Sequence, residues 1–343
     1  MASKNVLVGQ GLEELAELMA EFGEPSYRAK QLVEWVYRPV AAIEQMSSLP
    51  LRLRDRLMRE TIYHPCSTVT VRRSQDGTRK YLLALQDGEH IESVYIPEND
   101  RSTVCISSQV GCQMGCTFCA TGGMGFVRNL TAGEIVDQVL QVILDVGRRP
   151  SNVVFMGMGE PLANYSAVLR SIKVLNAPWG LNIGIRQLTV STCGLVPGIR
   201  KLAQEGLGLT LAVSLHSADD EKRSRIMPIA RIYNLEELLD ALHEYAARTG
   251  RRITIEYALM DGFNDSPEDA HRLTEILRGL LCHVNLIPVN PIPGGFQKKP
   301  RDSQVARFES WLRRGGLVVS IRKERGADIE AACGQLRGRW EGV

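Results

Sequence analysis

The feature that most constrains the fold is a regular alternation of strand-like and helix-like segments from residue 103 onward. Strand patterns occur at 103–108, 152–157, 187–192, 209–216, 252–259, 283–289 and 317–322, and helix patterns lie between them at 132–146, 166–176, 196–205, 235–248, 267–280 and 302–314. Such alternation indicates a parallel α/β sheet. We predict a partial (β/α)6 barrel, and an open doubly wound sheet is an alternative that periodicity leaves open.

Helix start signals support these assignments. Thr131 with Glu134 and Asn234 with Glu237 have the spacing of a capping box, in which two side chains satisfy the first free amides of a helix. Ser266 before Pro267 combines a capping hydroxyl with a first-turn proline. The sequence therefore predicts three helix starts independently of hydrophobic periodicity.

The first 97 residues follow a different pattern. Helix patterns at 12–22, 27–37 and 52–60 precede strand patterns at 67–73, 78–85 and 90–97, and Asp76-Gly77 is typical of a hairpin turn. We therefore divide the chain into a small helical and β accessory domain, 1–97, and a barrel domain, 98–343.

Composition excludes few functions. No run of about 18 apolar residues suggests a membrane span, and no signal peptide is visible at the N-terminus, so we expect a cytoplasmic protein. The net charge of +2 does not by itself indicate a nucleic-acid partner. Basic residues do cluster between Lys298 and Arg325 and at Arg72, Arg73, Arg79 and Lys80, which fits either a solvated surface or an RNA contact.

Four of the eight cysteines lie within fifteen residues, at positions 105, 112, 116 and 119. Such crowding in a cytosolic chain favours metal or redox chemistry over disulfides. The spacing Cys112-x3-Cys116-x2-Cys119 supplies three thiolates, one fewer than a closed four-iron cluster uses. We expect a 4Fe-4S cluster with one open iron that chelates S-adenosylmethionine (SAM). A zinc site or a closed cluster with a distant fourth cysteine are the alternatives.

Further polar motifs follow the predicted strands. GMGEP (157–161) ends the second strand, and Ser191, Ser214, His216 and Asn290 come at or after the ends of later strands. Because catalytic groups of a barrel gather at the carboxyl ends of its strands, we expect these residues to share one rim with the cysteine run. Glu160 is a candidate acceptor for an amine or a ribose hydroxyl of the cofactor.

Several long motifs closely resemble the radical SAM RNA methyltransferases of the RlmN type. They are VCISSQVGCQMGCTFCATGGMGFVRNLTAGEI (104–135), FMGMGEPLANY (155–165), VNLIPVNPIPG (284–294), RGADIEAACGQL (325–336) and DGTRKYLLALQDGEHIESVYIPENDR (76–101). The resemblance implies a radical SAM barrel and methylation of carbon 2 of an adenine in large-subunit ribosomal RNA, with an adenine beside the anticodon of tRNA as a second target. It also implies an electron donor such as flavodoxin or ferredoxin. We expect a monomer.

The resemblance further implies residue roles. Cys333 would carry a methyl group, Cys105 would resolve the protein–RNA adduct through a disulfide, and Glu92 would remove the C2 proton. The implied SAM contacts are Gly159, Glu160, Ser191, Ser214, Leu215, His216 and Asn290. Carbon 2 of adenine is electron-poor, so simple displacement on SAM cannot methylate it. The family solves this with two SAM molecules and a carbon radical derived from S-methylcysteine.

Residue chemistry leaves other interpretations open. Cys333 considered alone also fits a buried core thiol or the fourth ligand of a closed cluster. A sister enzyme of the Cfr type, which methylates carbon 8 of the same adenine, shares the cysteines. A non-catalytic iron–sulfur RNA-binding protein is a third alternative. Cys66, Cys193 and Cys282 match no motif and are taken as structural.

Overall fold

The computed structural model describes residues 4–292 and 295–338, so the last two residues of the motif 284–294 lie outside it. The N-terminal part contains three helices and a two-stranded parallel sheet. Its elements are β1 (Asn5–Val6), α1 (Leu12–Glu21), α2 (Tyr27–Val36), α3 (Leu51–Glu60) and β2 (Thr61–Ile62). The three helices confirm those predicted from hydrophobic periodicity. In the described part of the chain, no helix is long and apolar enough to cross a membrane.

Twelve further strands follow. They are β3 (Cys66–Arg73), β4 (Arg79–Leu85), β5 (His90–Glu98), β6 (Arg101–Cys105), β7 (Gln109–Gly111), β8 (Phe126–Asn129), β9 (Asn152–Phe155), β10 (Leu188–Thr192), β11 (Thr210–Ser214), β12 (Ile253–Leu259), β13 (Cys282–Pro288) and β14 (Val319–Ile321). All except β7 and β8 form one ten-stranded sheet in the order β14-β13-β12-β11-β10-β9-β6-β5-β4-β3.

Strands β6 and β9 to β14 of this sheet are parallel, and helices connect them. The helices are α4 (Ala132–Val146), α5 (Tyr165–Asn176), α6 (Val196–Gln204), α7 (Asp220–Ile226), α8 (Leu235–Thr249), α9 (Pro267–Ile276) and α10 (Asp302–Arg314). Each new parallel strand lies beside the previous one, whereas a doubly wound sheet reverses its order at a switch point. The predicted partial barrel is therefore confirmed.

The predicted helix starts are present. The side chains of Thr131, Asn234 and Ser266 each accept the backbone N–H three residues later. Helix α7 was not predicted, because its seven residues are too short to show a clear hydrophobic period. It begins with its own cap, in which Asp219 accepts from the backbone of Lys222.

The N-terminal helices pack closely on the barrel. Gly9 and Gly133 touch so tightly that an added Cβ on Gly9 would lie 2.5 Å from the Gly133 nitrogen. The imidazole of His64 lies 2.5 Å from the Asp137 carboxylate on α4, which also accepts the backbone N–H of Cys66 at 2.9 Å. These contacts fix the segments before and after the accessory helices to the first barrel helix.

Strands β3–β5, assigned from the sequence to the accessory domain, extend the barrel sheet with antiparallel pairing. Pro97 itself lies opposite Ser102 in the β5–β6 pair. The sheet therefore continues across residue 97, and the boundary placed there stays a prediction. Pairing also places Val94 opposite Cys105, which brings the accessory strands beside the cysteine-bearing strand.

Candidate active site

A short hairpin frames the loop that carries the three clustered cysteines. Strands β7 and β8 pair antiparallel, and the Cys112 N–H donates to the Gly125 carbonyl at 2.8 Å. Gly111 has a φ of 71°, and a Cβ there would lie 2.0 Å from the Gly125 oxygen, so no other residue fits. Inside the loop, the Cys119 N–H donates to the Cys116 carbonyl at 3.2 Å.

Cys112, Cys116 and Cys119 line one cavity at the carboxyl ends of the parallel strands. Burial raises the pKa of the Cys112 thiol to about 12 and that of Cys116 further, and charge on Cys119 adds to both shifts. In residues 4–292 and 295–338, no three Cys, His, Asp or Glu side chains converge on a point that would hold one metal ion. A four-iron cluster does not require such convergence, because each thiolate binds a different iron. Three neighbouring thiols on a cavity wall therefore fit a cluster better than a zinc ion.

The GMGEP motif forms the next part of the cavity wall. A Cβ on Gly157 would lie 2.7 Å from the Ile106 carbonyl oxygen. Gly159 has a φ of 99°, and a Cβ there would lie 2.5 Å from the Cβ of Gln109. The sequence suggested that these glycines let the backbone approach a ligand. The structure shows that they also let β9 approach the segment that precedes the cysteine loop.

Glu160 is buried in the same wall and holds two neighbouring segments. Its carboxylate accepts the backbone N–H of Leu162 at 3.0 Å and of Cys193 at 2.8 Å. Burial raises the pKa of this carboxyl group, and the hydrogen bond from Cys193 opposes that effect. Because each carboxylate oxygen has two lone pairs, Glu160 keeps acceptor capacity for a ligand.

The ends of β10 and β11 contribute Ser191, Ser214 and His216 to the cavity. Nδ1 of His216 accepts the Ala258 N–H at 2.9 Å, so Nε2 carries the ring proton and is a donor. Burial lowers the pKa of His216 to about 3, which keeps the ring neutral. Leu215 is fully buried and is not part of the described cavity wall, so the SAM contact implied for it stays a prediction.

The C-terminal segment brings Cys333 to the cavity from a distant part of the chain. Asn290 Nδ2 donates to the Cys333 carbonyl at 3.1 Å, the Ala120 N–H donates to Gly334 at 2.7 Å, and Thr121 Oγ1 donates to Leu336 at 2.7 Å. The segment therefore rests directly on the cysteine loop. Cys333 and Asn290 also line a second cavity of about 650 Å³, so Cys333 separates two spaces.

Cys105 lies on β6 within range of the charge of Cys333, and all eight cysteines are unpaired thiols. Burial raises the pKa of Cys105 to about 12, and charge on Cys333 adds to the shift. The charge of Arg322 opposes it. Negative charge on Cys333, Glu256 and Cys105 raises the pKa of Arg322 in turn. The sequence did not single out Arg322 or Glu256, since neither matched a motif.

Glu92 lies outside the cavity wall but beneath the same C-terminal segment. Its side chain is buried beside Lys80, with 3.2 Å between Oε1 and the ammonium nitrogen, and Oε2 accepts the Arg337 N–H at 2.6 Å. Strand alternation places Lys80 on the face of the sheet that the C-terminal segment covers and Arg79 on the opposite face. There the Arg79 guanidinium pairs with an Asp145 carboxylate oxygen at 2.6 Å. The hairpin's basic residues therefore do not share a single surface.

Two further site residues were missed from the sequence. Arg223 is 1% exposed and donates to the carbonyls of Leu215 at 3.2 Å and Cys193 at 2.8 Å, which ties the ends of β10 and β11 together. Cys193 lines the cavity next to the three clustered thiols. The Ser-Thr-Cys run at the end of β10 was the available signal for Cys193.

The sequence profile of the Radical SAM superfamily matches residues 106–274, and that of the ribosomal RNA large subunit methyltransferase N-terminal domain matches residues 5–62. The chain is 50% identical over 338 residues, 97% of this chain and 91% of the relative, to a probable dual-specificity RNA methyltransferase RlmN of Symbiobacterium thermophilum. A relative of the same name from Clostridium perfringens is 49% identical over 329 residues, 95% of this chain and 94% of the relative.

A crystal structure of a radical SAM methyltransferase from Sphaerobacter thermophilus superimposes with a TM-score of 0.95 at 47% identity, covering 98% of this chain and all of the other. The partial barrel and its three-cysteine loop thus define a radical SAM enzyme. Within that superfamily, the chain belongs to the RlmN family of dual-specificity RNA methyltransferases. Membership implies a 4Fe-4S cluster and SAM, and the cysteine-lined cavity fits both.

Proposed function

We propose that this enzyme methylates carbon 2 of an adenine in large-subunit ribosomal RNA, and an adenine beside the anticodon of tRNA, through S-methylcysteine at Cys333. The position of Cys333 supports this most directly. It lies between the cavity of the cysteine loop and the second cavity, and within electrostatic range of the Cys105 thiol. A methyl carrier needs access to a methyl donor on one side and to a nucleotide on the other.

The residues proposed to bind the cofactors are those that line the cavity of the cysteine loop, together with Leu215. Cys112, Cys116 and Cys119 would hold the cluster, and Gly159, Glu160, Ser191, Ser214, His216 and Asn290 would hold SAM, with Leu215 behind them. When bound, the cluster and SAM supply a methyl group, a radical that abstracts hydrogen, and the exchange of single electrons. His216 as a neutral donor and Glu160 as an acceptor suit a ligand with an amine, a carboxylate and ribose hydroxyls.

The chain's own residues perform the remaining steps. The Cys333 sulfur takes the first methyl group, and loss of a hydrogen atom leaves a methylene radical that forms a carbon–carbon bond to C2. Glu92 then accepts the C2 proton as the adduct gives up its unpaired electron, for which the bound cluster would be the acceptor. Cys105, as its thiolate, then attacks the Cys333 sulfur, so the sulfur–methylene bond breaks and a disulfide forms, and the methylene carbon takes up a proton to become the methyl group of the released base. An external reductant must restore both thiols before another turnover.

The partners in this proposal are RNA and an electron donor such as flavodoxin or ferredoxin. A cytoplasmic location would supply the reducing conditions that regenerate Cys105 and Cys333. The N-terminal helices would position the RNA through phosphates, with the target base unstacked to reach the buried site. The chain would act as a monomer.

The test is anaerobic turnover of the reconstituted enzyme with reductant, SAM and either an rRNA fragment or tRNA, followed by mass spectrometry of the nucleosides. We expect 2-methyladenosine in both substrates. If the rRNA fragment is methylated and the tRNA is not, tRNA is not a substrate of this enzyme. A Cys333→Ala variant provides the matched control, since it should cleave SAM without methylating RNA.

Three outcomes would contradict the proposal. Formation of 8-methyladenosine would preserve the chemistry of Cys333 but assign the chain the regiochemistry of the Cfr type. SAM cleavage without any methylated adenine would show that the nucleic-acid substrate is wrong. A cluster unaffected by SAM, and no SAM cleavage, would favour a non-catalytic iron–sulfur protein.

A further inference from the structure

The register of the accessory hairpin places a buried cation beside the proposed base. In the β4–β5 pair, Lys80 lies opposite Val94 and Leu82 lies opposite Glu92. Lys80 and Glu92 are therefore diagonal neighbours on one face of the sheet. They are 7% and 5% exposed, which is unusual for both residue types.

The Lys80 ammonium makes two contacts that join separate parts of the chain. It lies 3.2 Å from Glu92 Oε1 on β5, and it donates to the Glu330 carbonyl at 3.2 Å. Glu330 is three residues before Cys333. The other Glu92 oxygen accepts the backbone N–H of Arg337, four residues after Cys333. Lys80 and Glu92 thus contact the main chain of the segment that carries Cys333, one before the cysteine and the other after it.

We propose that Lys80 is a positioning residue for Glu92, which holds the carboxylate through a charge-assisted contact in alignment with the segment that carries Cys333. This inference rests on the proposed function. The step concerned transfers the C2 proton of the RNA adduct to a Glu92 carboxylate oxygen. The adduct has by then given up its unpaired electron, and the electron pair of the C–H bond stays in the adenine ring. The contact with Lys80 holds one Glu92 oxygen, 3.2 Å from the ammonium nitrogen, and the Arg337 N–H holds the other at 2.6 Å.

A purely structural role explains the pair less well. Buried ion pairs contribute little net stability, because desolvation offsets their attraction. The pair also lies on the face of the sheet that the Cys333 segment covers, and its second contact reaches the main chain of that segment. A cation that served only to stabilise the hairpin would not need this contact.

The experiment compares Lys80→Met, Lys80→Gln and Lys80→Arg holoenzymes in a single anaerobic turnover with SAM and an rRNA fragment. Intact-protein mass spectrometry follows methylation of Cys333, and denaturing gels follow the covalent RNA adduct. Arg79→Met is the matched control, since it removes the adjacent positive charge from the opposite face, where Arg79 pairs with Asp145.

We expect the Met and Gln variants to methylate Cys333 at the parent rate but to resolve the adduct at least about tenfold more slowly. That factor is part of the roughly 10²–10⁴-fold contribution of a general base. Lys80→Arg should restore resolution, and Arg79→Met should match the parent. Because Lys80 acts through Glu92, adding Lys80→Met to Glu92→Gln should slow resolution no further.

The results separate the two proposals. If the parent never methylates Cys333, the proposed function fails and the role of Lys80 fails with it. If Glu92→Gln traps the adduct while both uncharged Lys80 variants resolve it at the parent rate, only the inference on Lys80 is overturned. Further slowing in the double variant would also overturn it, because Lys80 would then act independently of Glu92.

Discussion

The side-chain amide of Asn290 donates a hydrogen bond of 3.1 Å to the main-chain carbonyl of Cys333. Asn290 follows the end of β13, and Cys333 lies in the C-terminal segment, so one bond fixes the proposed methyl carrier to the barrel rim. The sequence suggested only a SAM contact for Asn290. Its place in the walls of both cavities allows it to hold the cysteine and a ligand together.

Asn290→Ala should therefore slow methylation of Cys333. Loss of one hydrogen bond of about 1 kcal/mol corresponds to roughly fivefold in rate. The measurement is the time course of the mass increase on Cys333 after addition of SAM. Asn176→Ala is the control, because its amide donates a similar bond of 2.8 Å to Ile183 far from the site. Equal rates for the two variants would show that the Asn290 bond does not position Cys333.

Replacement of Cys112, Cys116 or Cys119 by Ala should each abolish cluster binding and SAM cleavage, because all three thiols line the cavity. Iron and sulfide content and release of 5′-deoxyadenosine are the measurements. Cys282→Ala, on β13 outside the described cavity wall, should retain both. Cys193→Ala tests the remaining thiol in the cavity, and loss of iron in that variant would contradict a three-cysteine ligand set.

Cys105→Ala should trap RNA covalently on Cys333, because the thiol proposed to displace the methylene group would be absent. Denaturing gels of the turnover mixture should show a protein–RNA band that is absent from the parent.

Burial raises the pKa of Cys105 to about 12, so iodoacetamide at pH 8 should modify it only after unfolding. Rapid labelling of Cys105 in the folded, cluster-free protein would contradict the observed burial.

His216 should make the free energy of unfolding depend on pH. Burial lowers its pKa from 6.5 to about 3, so the unfolded chain binds a proton that the folded chain excludes. The contribution of His216 to the free energy of unfolding is therefore fully present above pH 6.5. As the pH falls toward 3, the free energy of unfolding decreases by about 1.4 kcal/mol per pH unit. Urea unfolding of cluster-free protein at pH 7, 6 and 5 should show a shallower loss in His216→Gln than in the parent. The exposed His271→Gln is the control, and identical slopes for His216→Gln and the parent would refute the prediction.

Local sequence chemistry predicted much of the barrel because helices and strands are set by nearby residues. The capping side chains of Thr131, Asn234 and Ser266 act over three residues, and the structure contains all three caps. Helix α7 was missed, and with it Arg223, because a helix of seven residues carries little periodic signal.

The sequence by itself determined the alternation of strands and helices, the three-cysteine spacing and the family, since these depend on local periodicity and on long motifs. Only the tertiary structure decided which distant groups meet. It placed Cys333 against Asn290, Lys80 against Glu92, and Arg223 under the carbonyls of two different strands. Such contacts depend on strand register and on how the C-terminal segment packs, and neither is encoded in the spacing of neighbouring residues.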